Sequence, residues 1–371
     1  MIHEPLSGAV PQTPHPLPVR SAGREETRLQ VVLLPLLLRR SAWQQEYDTL
    51  NTTMKNINRR AFSGAVFSGL GISGTSAQPA KPKAGSIPMR TFGKTTAKIT
   101  IIGQGGARLA LLRTKEAARG HVQHAYSLGL TYFDCAHSYW DGHSEEVYGD
   151  VLRQWRKELF MTTKSTKRMR KEAEEELHAS LAALKTDYVD LWQMHGIQTR
   201  KDIDQIFAAG GAMEAFEAAK KSGKCRFFGF TGHYDPNIHL AMLNAYDKWD
   251  SILMPLHAAD PAYLSFEKIA LPPAVDRGIG IQAIKVFGNA FLTRVLNAEE
   301  CLKYALSLPI TATPAGCSTR GQLEDNVRFV QDFKPYTPEQ MDEVRKRAVT
   351  AGPGGLQGPA LEYWKVGGVW K

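Results

Sequence analysis

Leu130-Thr131-Tyr132-Phe133-Asp134-Cys135-Ala136-His137-Ser138-Tyr139 opens as a short apolar run, meets an acid at Asp134 and reaches a phenol at Tyr139. Two later runs are built alike: residues 159–163 lead to Lys164, and residues 188–194 lead to His195. Apolar runs of this length bounded by polar residues read as strands. Polar groups at the C-terminal ends of successive parallel strands converge on one rim of a barrel, where they read as catalytic. An acid, a phenol, an amine and an imidazole gathered there form a device for protonating a carbonyl oxygen.

Working outward, the same alternation extends on both sides. Strand-like runs are expected at 99–103, 130–133, 159–163, 188–194, 225–230, 251–256, 279–284 and 310–315. Amphipathic helical stretches are expected at 115–128, 144–155, 171–184, 213–222, 238–246, 262–277, 299–306 and 320–331. Residues 88–92 and 98–102, joined by Gly93-Lys94-Thr95-Thr96, read as a β-hairpin leading into the first strand. Eight strands alternating with eight helices predict an α/β fold, a (β/α)8 TIM barrel spanning residues 87–349. A doubly wound sheet is the competing architecture. It wants a third glycine after Gly103-Gln104-Gly105-Gly106, opening a helix, and that glycine is absent. A helix over 338–349 and a Gly/Pro-rich, then aromatic, tail over 350–371 follow the barrel, and the tail is expected to fold over it.

The chain has 371 residues, 43% of them hydrophobic and 22% charged, the balance of a globular protein. The net charge of +9 is unevenly spread. Residues 1–85 hold 10 Lys/Arg against 5 Asp/Glu, and residues 86–371 hold 36 against 32. No basic stripe with interleaved aromatics is present, so nucleic acid is not an expected partner. Cys135, Cys225, Cys301 and Cys317 stand far apart and form no CxxC, which argues against a zinc cluster or a disulfide framework. Cys225 and Cys301 read as small core residues of a strand and a helix.

Residues 1–53 alternate Pro-rich and Leu-rich patches without a sustained period and are expected to be a disordered, mis-called extension. The apolar run at 31–38 is too short to span a bilayer and is broken by Pro35. Met54-Lys55-Asn56-Ile57-Asn58-Arg59-Arg60-Ala61-Phe62, a mildly apolar stretch and Thr75-Ser76-Ala77-Gln78 resemble a bacterial twin-arginine export signal over 54–77. Residues 78–86 would be a linker at the start of the mature chain. The expected partner of the precursor is the twin-arginine translocase, and the expected location is the periplasm, with the cytoplasm as the alternative.

Residues 87–349 resemble the aldo-keto reductases. The likeness rests on Tyr132-Phe133-Asp134-Cys135-Ala136 with Tyr139, on Ser144-Glu145 and Gly149, and on Asp187-Tyr188-Val189-Asp190-Leu191 leading to His195. It implies a catalytic tetrad of Asp134, Tyr139, Lys164 and His195. In that role Tyr139 is the general acid/base, Lys164 stabilises its phenolate, Asp134 orients Lys164, and His195 positions the carbonyl. Ala315-Gly316-Cys317-Ser318-Thr319-Arg320-Gly321-Gln322-Leu323-Glu324-Asp325-Asn326 is similar to the family segment that holds the adenosine phosphate of NADP. The resemblance implies Gly316, Ser318, Arg320 and Gln322 near the 2′-phosphate and ribose, with Asp325 and Asn326 at the adenine. NADPH is thus expected over NADH.

Gly105, Thr231 and the segment Lys285-Val286-Phe287-Gly288 are the further coenzyme contacts it implies, and Trp140 and His233 line the pocket for a small-molecule carbonyl substrate. The chain departs from the family at three places. Ile284 stands where many members stack a tyrosine on the nicotinamide, Thr231-Gly232 replaces a Ser-Asn pair, and Met254 replaces a glutamine. Two other readings stay open: an NADP-binding redox sensor without turnover, and a hydrolase whose metal is held by His195, His233, His257 and Asp134. The protein is expected to be a monomer or weak oligomer, with no resident metal.

Overall fold

The computed structural model describes residues 87–351, 362 and 364–367. The expected extension at 1–53, the export signal at 54–77, the linker at 78–86 and most of the tail at 350–371 lie outside the described residues.

A hairpin opens the fold, with β1 (Met89–Thr91) antiparallel to β2 (Lys98–Thr100). Eight parallel strands then follow: β3 (Ile102–Gly105), β4 (Tyr132–Asp134), β5 (Phe160–Ser165), β6 (Val189–Met194), β7 (Cys225–Thr231), β8 (Ser251–Pro255), β9 (Gly280–Ile284) and β10 (Thr313–Ala315). From β3 to β9 each strand pairs with the next in chain order, and β10 returns to pair with β3. The seam between β9 and β10 is narrow. Gln282 bridges Ala312, the Ala283 amide donates to the Ala312 carbonyl at 3.0 Å, and the Thr313 hydroxyl donates to the Ala283 carbonyl at 2.9 Å. The result is a nearly closed (β/α)8 TIM barrel.

The connecting helices are α1 (Lys115–Ser127), α2 (His143–Leu152), α3 (Arg170–Leu184), α4 (Arg200–Phe207), α5 (Ala212–Lys221), α6 (Pro236–Ala245), α7 (Phe266–Ile269), α8 (Leu271–Asp276), α9 (Ala298–Ser307), α10 (Arg320–Gln331) and α11 (Pro338–Ala348). In α10 the buried face is Leu323, Asn326, Val327 and Val330, the helical spacing expected of a one-sided amphipathic segment. Thr319 caps it by accepting from the Gln322 amide. Between strands and helices lies the main core, in which Trp192 stacks on Phe216 with ring centroids 3.6 Å apart.

The N-terminal end of the barrel is plugged by the hairpin. Phe92 is fully buried among Ile99, Tyr132, Phe160, Leu191 and Ala312, and its ring lies 4.8 Å from that of Phe160. Gly280 must be a glycine here, since a Cβ would stand 2.8 Å from the Phe92 ring. The other end, where the strands run out, is the one at which parallel barrels carry their sites.

Three local expectations are corrected. The first barrel strand begins at Ile102 and not at residue 99, because the Ile101 amide donates to Pro88 and the Thr100 hydroxyl donates to the Ile102 carbonyl, which breaks the run. The single helix expected over 262–277 is two short ones. Pro272 and Pro273 lack the amides a continuous helix needs and are tolerated in the first turn of α8. Helix α4 was not foreseen, although Thr199 and Asp202 form a capping box that signals its start.

Candidate active site

Asp134, Lys164 and His195 stand at or just beyond the ends of β4, β5 and β6, and all three are buried. Lys164 sits between the other members of its group. Its Nζ donates to Asp134 Oδ2 at 2.8 Å, to the Cys135 carbonyl at 2.6 Å and to the Tyr139 hydroxyl at 3.4 Å. The second carboxylate oxygen of Asp134 accepts from the Thr162 hydroxyl at 2.8 Å. Thr162 and Lys164 share the inward face of β5 because side chains two apart on a strand point the same way. That spacing was a usable signal for Thr162, which the sequence reading passed over.

Tyr139 is delivered by the loop after β4. Trp140 and Asp141 take left-handed φ angles of 51° and 53°, and this tight turn carries the chain into α2 while holding Tyr139 half-buried. Non-glycine residues in that region are strained, and such strain concentrates at working sites. The Tyr139 and His195 rings meet edge to face at 5.6 Å, and the Ser138 hydroxyl lies 3.4 Å from His195 Nδ1.

Electrostatics sets the protonation states. Burial pushes the Tyr139 hydroxyl up to about 12, against the pull of the Lys164 ammonium. Burial also acts to neutralise Lys164, but Asp134 and Tyr139 outweigh it and hold the ammonium above its ordinary value. His195 falls well below the imidazole range through burial, with Lys164, His233 and Arg168 adding positive charge around it. At neutral pH the site therefore offers a protonated phenol, a charged amine and a neutral imidazole.

The expected coenzyme residues form a second arc on the same rim. Gly105, at the end of β3, backs onto the loop after β10: a Cβ there would stand 3.0 Å from the Gly316 amide. In that loop the Ser318 amide and hydroxyl both donate to Gln322 Oε1, at 2.9 and 3.1 Å. Arg320 is exposed, with a guanidinium nitrogen lying over Gly120 of α1. Asp325 pairs with Arg328 at 2.6 Å, and buried Asn326 donates to Cys317 Sγ at 3.2 Å, so both shape the loop. Thr231 Oγ1 accepts from the Gly196 amide at 3.0 Å and ties β7 to the loop carrying His195.

Lys285 takes a left-handed φ of 59°, Val286 is buried, Phe287 is half-buried, and the Gly288 amide donates back to the Lys285 carbonyl at 2.6 Å. Trp140 and His233 are both half-buried at this end. The donor set suits a phosphorylated nucleotide. A capped helix N-terminus, hydroxyls at Ser318 and Thr319, and cationic side chains at Arg320 and Lys285 are groups that receive anions.

The C-terminal segment was expected over the barrel, but its anchoring was not legible. Lys365 is buried and donates to Asp260 Oδ1 at 2.7 Å and to the Tyr263 carbonyl at 2.6 Å, and it pairs with Glu362 at 2.6 Å. His257 Nε2 lies 3.0 Å from Glu362, and its ring meets Trp364 edge to face at 5.6 Å. The Val366 amide donates to the Tyr234 carbonyl at 2.8 Å, and Lys285 Nζ stands 5.4 Å from the Trp364 ring centroid. The segment thus spans the loops after β7, β8 and β9.

These contacts bear on the metal reading. Among the described residues, the one group of three candidate ligands with atoms within 4.8 Å is His257, Asp260 and Glu362, and the Lys365 ammonium is ion-paired with both carboxylates. Asp134 is engaged by Lys164.

The fold is a nearly closed parallel barrel with an acid, an amine, a phenol and an imidazole gathered at one rim. Residues 102–301 match the model of the Aldo/keto reductase family, and the chain belongs to that family. It is 31% identical over 161 residues to the oxidoreductase YqkF of Bacillus subtilis, covering 40% of this chain and 50% of that protein. It is 29% identical over 163 residues to the NADP(+) aldo-keto reductase yakc of Schizosaccharomyces pombe, covering 39% and 46%. The chain spans about half the length of these curated relatives. Among solved structures it is similar to the holo form of aldo-keto reductase AKR11C1 from Bacillus halodurans, with a TM-score of 0.61 at 23% identity, covering 71% of this chain and 96% of that one. That likeness shows the fold.

Proposed function

We propose that the protein is an NADPH-dependent oxidoreductase that reduces aldehyde or ketone carbonyls to alcohols, or runs the reverse reaction, with Tyr139 as the general acid/base. The observation that carries this reading is the Lys164 ammonium held between the Asp134 carboxylate and the Tyr139 hydroxyl, at 2.8 and 3.4 Å, at the open end of the barrel. When bound, NADPH supplies a hydride to the carbonyl carbon. Everything else falls to the chain. Tyr139 gives its proton to the carbonyl oxygen as negative charge builds there. Lys164 offsets the charge left on the phenolic oxygen, and Asp134 keeps that amine charged and in place. Neutral His195 donates a hydrogen bond that orients the carbonyl, its Nδ1 facing Ser138.

Ser318, Arg320, Gln322 and the first turn of α10 would hold the 2′-phosphate end of the coenzyme, Asp325 and Asn326 its adenine, and Lys285 with the adjoining 286–288 turn its diphosphate. Trp140 and His233 wall the substrate pocket, which favours aromatic or apolar carbonyls, and the protein acts as a monomer or weak oligomer.

The deciding experiment titrates NADPH and NADH into the purified chain and follows quenching of tryptophan fluorescence. Tight binding that favours NADPH, with aldehyde reduction abolished in Tyr139→Phe at unchanged NADPH affinity, is the expected result. Failure to bind either nucleotide refutes the reading. The Arg59-Arg60 pair supports a second proposal, that the precursor is exported by the twin-arginine translocase to the periplasm. Arg59→Lys with Arg60→Lys should then retain the protein in the cytoplasm, and unchanged fractionation argues against export.

A further inference from the structure

Arg168 lies in the loop after β5, four residues beyond Lys164, and no part of the tetrad reading uses it. Its guanidinium makes four hydrogen bonds. Nη2 donates to the carbonyls of His195 at 2.9 Å and Gly196 at 3.1 Å, and Nη1 donates to the Thr166 carbonyl at 3.1 Å. Nε pairs with Asp202 at 2.9 Å, and the two side chains are only 13% and 21% exposed. Asp202 is itself fixed, accepting from the Gln198 and Thr199 amides and the Thr199 hydroxyl at the start of α4.

We infer that Arg168 is a positioning residue for the proposed carbonyl reduction, locking the main chain of His195 to the loop that follows Lys164. The inference rests on the tetrad reading given above. One planar fork joins two loops whose strands carry different members of the tetrad. At His195 the backbone is held from every side: its amide donates to the Ser165 carbonyl at 2.7 Å, its carbonyl accepts from Arg168, and the next amide, that of Gly196, donates to Thr231 Oγ1. Gly196 takes a φ of 63°, so the chain turns sharply just past the imidazole. Facing the imidazole are Tyr139, Ser138, His233 and Lys164, with Arg168 behind its carbonyl; the guanidinium charge also helps keep the ring neutral. Lysine keeps the charge but lacks the fork, so it cannot bridge both carbonyls and Asp202 together.

The test compares Arg168→Lys and Asp202→Asn with the unaltered chain. Both variants should fold with unchanged NADPH affinity. Arg168→Lys should lower kcat and kcat/KM together by about 10- to 100-fold, the signature of a misplaced group acting in the transition state. Asp202→Asn, which leaves the fork but loosens it, should fall between. A folded Arg168→Lys variant with unchanged kcat overturns the proposal. NMR of the His195 ring, assigned through His195→Gln, gives a reading independent of turnover. Ring resonances displaced in Arg168→Lys support the proposal, and unchanged ones overturn it even if no carbonyl substrate is found. Absence of turnover in the unaltered chain would count against the reductase reading and leave the ring experiment to decide this one.

Discussion

Replacing Lys164 with methionine removes one charge at nearly constant volume and probes the site at its centre. In the structure the ammonium lies 3.4 Å from the Tyr139 hydroxyl, and the phenolic oxygen gains negative charge as its proton leaves. Half a charge at that distance is stabilised by about 2.4 kcal/mol for an effective dielectric constant of about 20. Lys164→Met should therefore reduce kcat by about 60-fold. NADPH affinity should not change, since Lys164 is buried beside Asp134 and away from the α10 loop. The substitution also leaves the Asp134 carboxylate buried without its cation, and breaking such a pair costs roughly 3–5 kcal/mol of stability. The sign with pH follows from Lys164 standing above its ordinary 10.5. Its stabilising contribution is complete below 10.5 and is lost as pH rises through the higher folded value. Alkaline denaturation should be steeper in the unaltered chain than in the variant. The assay is steady-state reduction of an aromatic aldehyde such as para-nitrobenzaldehyde, followed by loss of NADPH absorbance, with urea denaturation alongside. A kcat within about threefold of the unaltered chain refutes the role given to the ammonium.

Arg320→Ala should weaken NADPH binding by up to about fivefold and leave NADH unaffected, because an exposed guanidinium acts only on the extra phosphate. Fluorescence titration with both nucleotides checks this, and an equal loss for the two would place Arg320 elsewhere on the coenzyme. Lys365→Met leaves Asp260 and Glu362 buried without their shared cation. It should lower the melting temperature by roughly 6–10 °C, from a loss of about 3 kcal/mol. An unchanged melting temperature would show that the buried network does not hold the C-terminal segment.

Much of the site was legible because barrel chemistry is written locally. Asp134, Lys164 and His195 each follow an apolar run, and a parallel barrel brings strand ends to one rim whatever lies between them. Helix α10 was legible over its full length, since Thr319 supplies a cap and Leu323, Val327 and Val330 supply the period. The misreadings have equally local causes. The stretch from Ala262 to Arg277 has a helical apolar pattern, but Pro272 and Pro273 override it. Residues 200–207 are too short to show a convincing period, and only the Thr199–Asp202 cap marks them.

Residue order within short segments made legible the alternation of strands and helices, the resemblance to the family, and the three polar side chains, Asp134, Lys164 and His195, that stand at strand ends. These depend on residue order within short segments, where spacing alone dictates facing. Which side chain each histidine meets depends on the folded chain. His195 meets Tyr139, while His257 turns to Glu362 from the C-terminal segment. It also buried Lys365 against Asp260, 105 residues away in the chain, and placed Arg168 across two loops. A charged residue in a loop reads as solvated until the closed barrel brings it a partner, and no local spacing encodes that meeting.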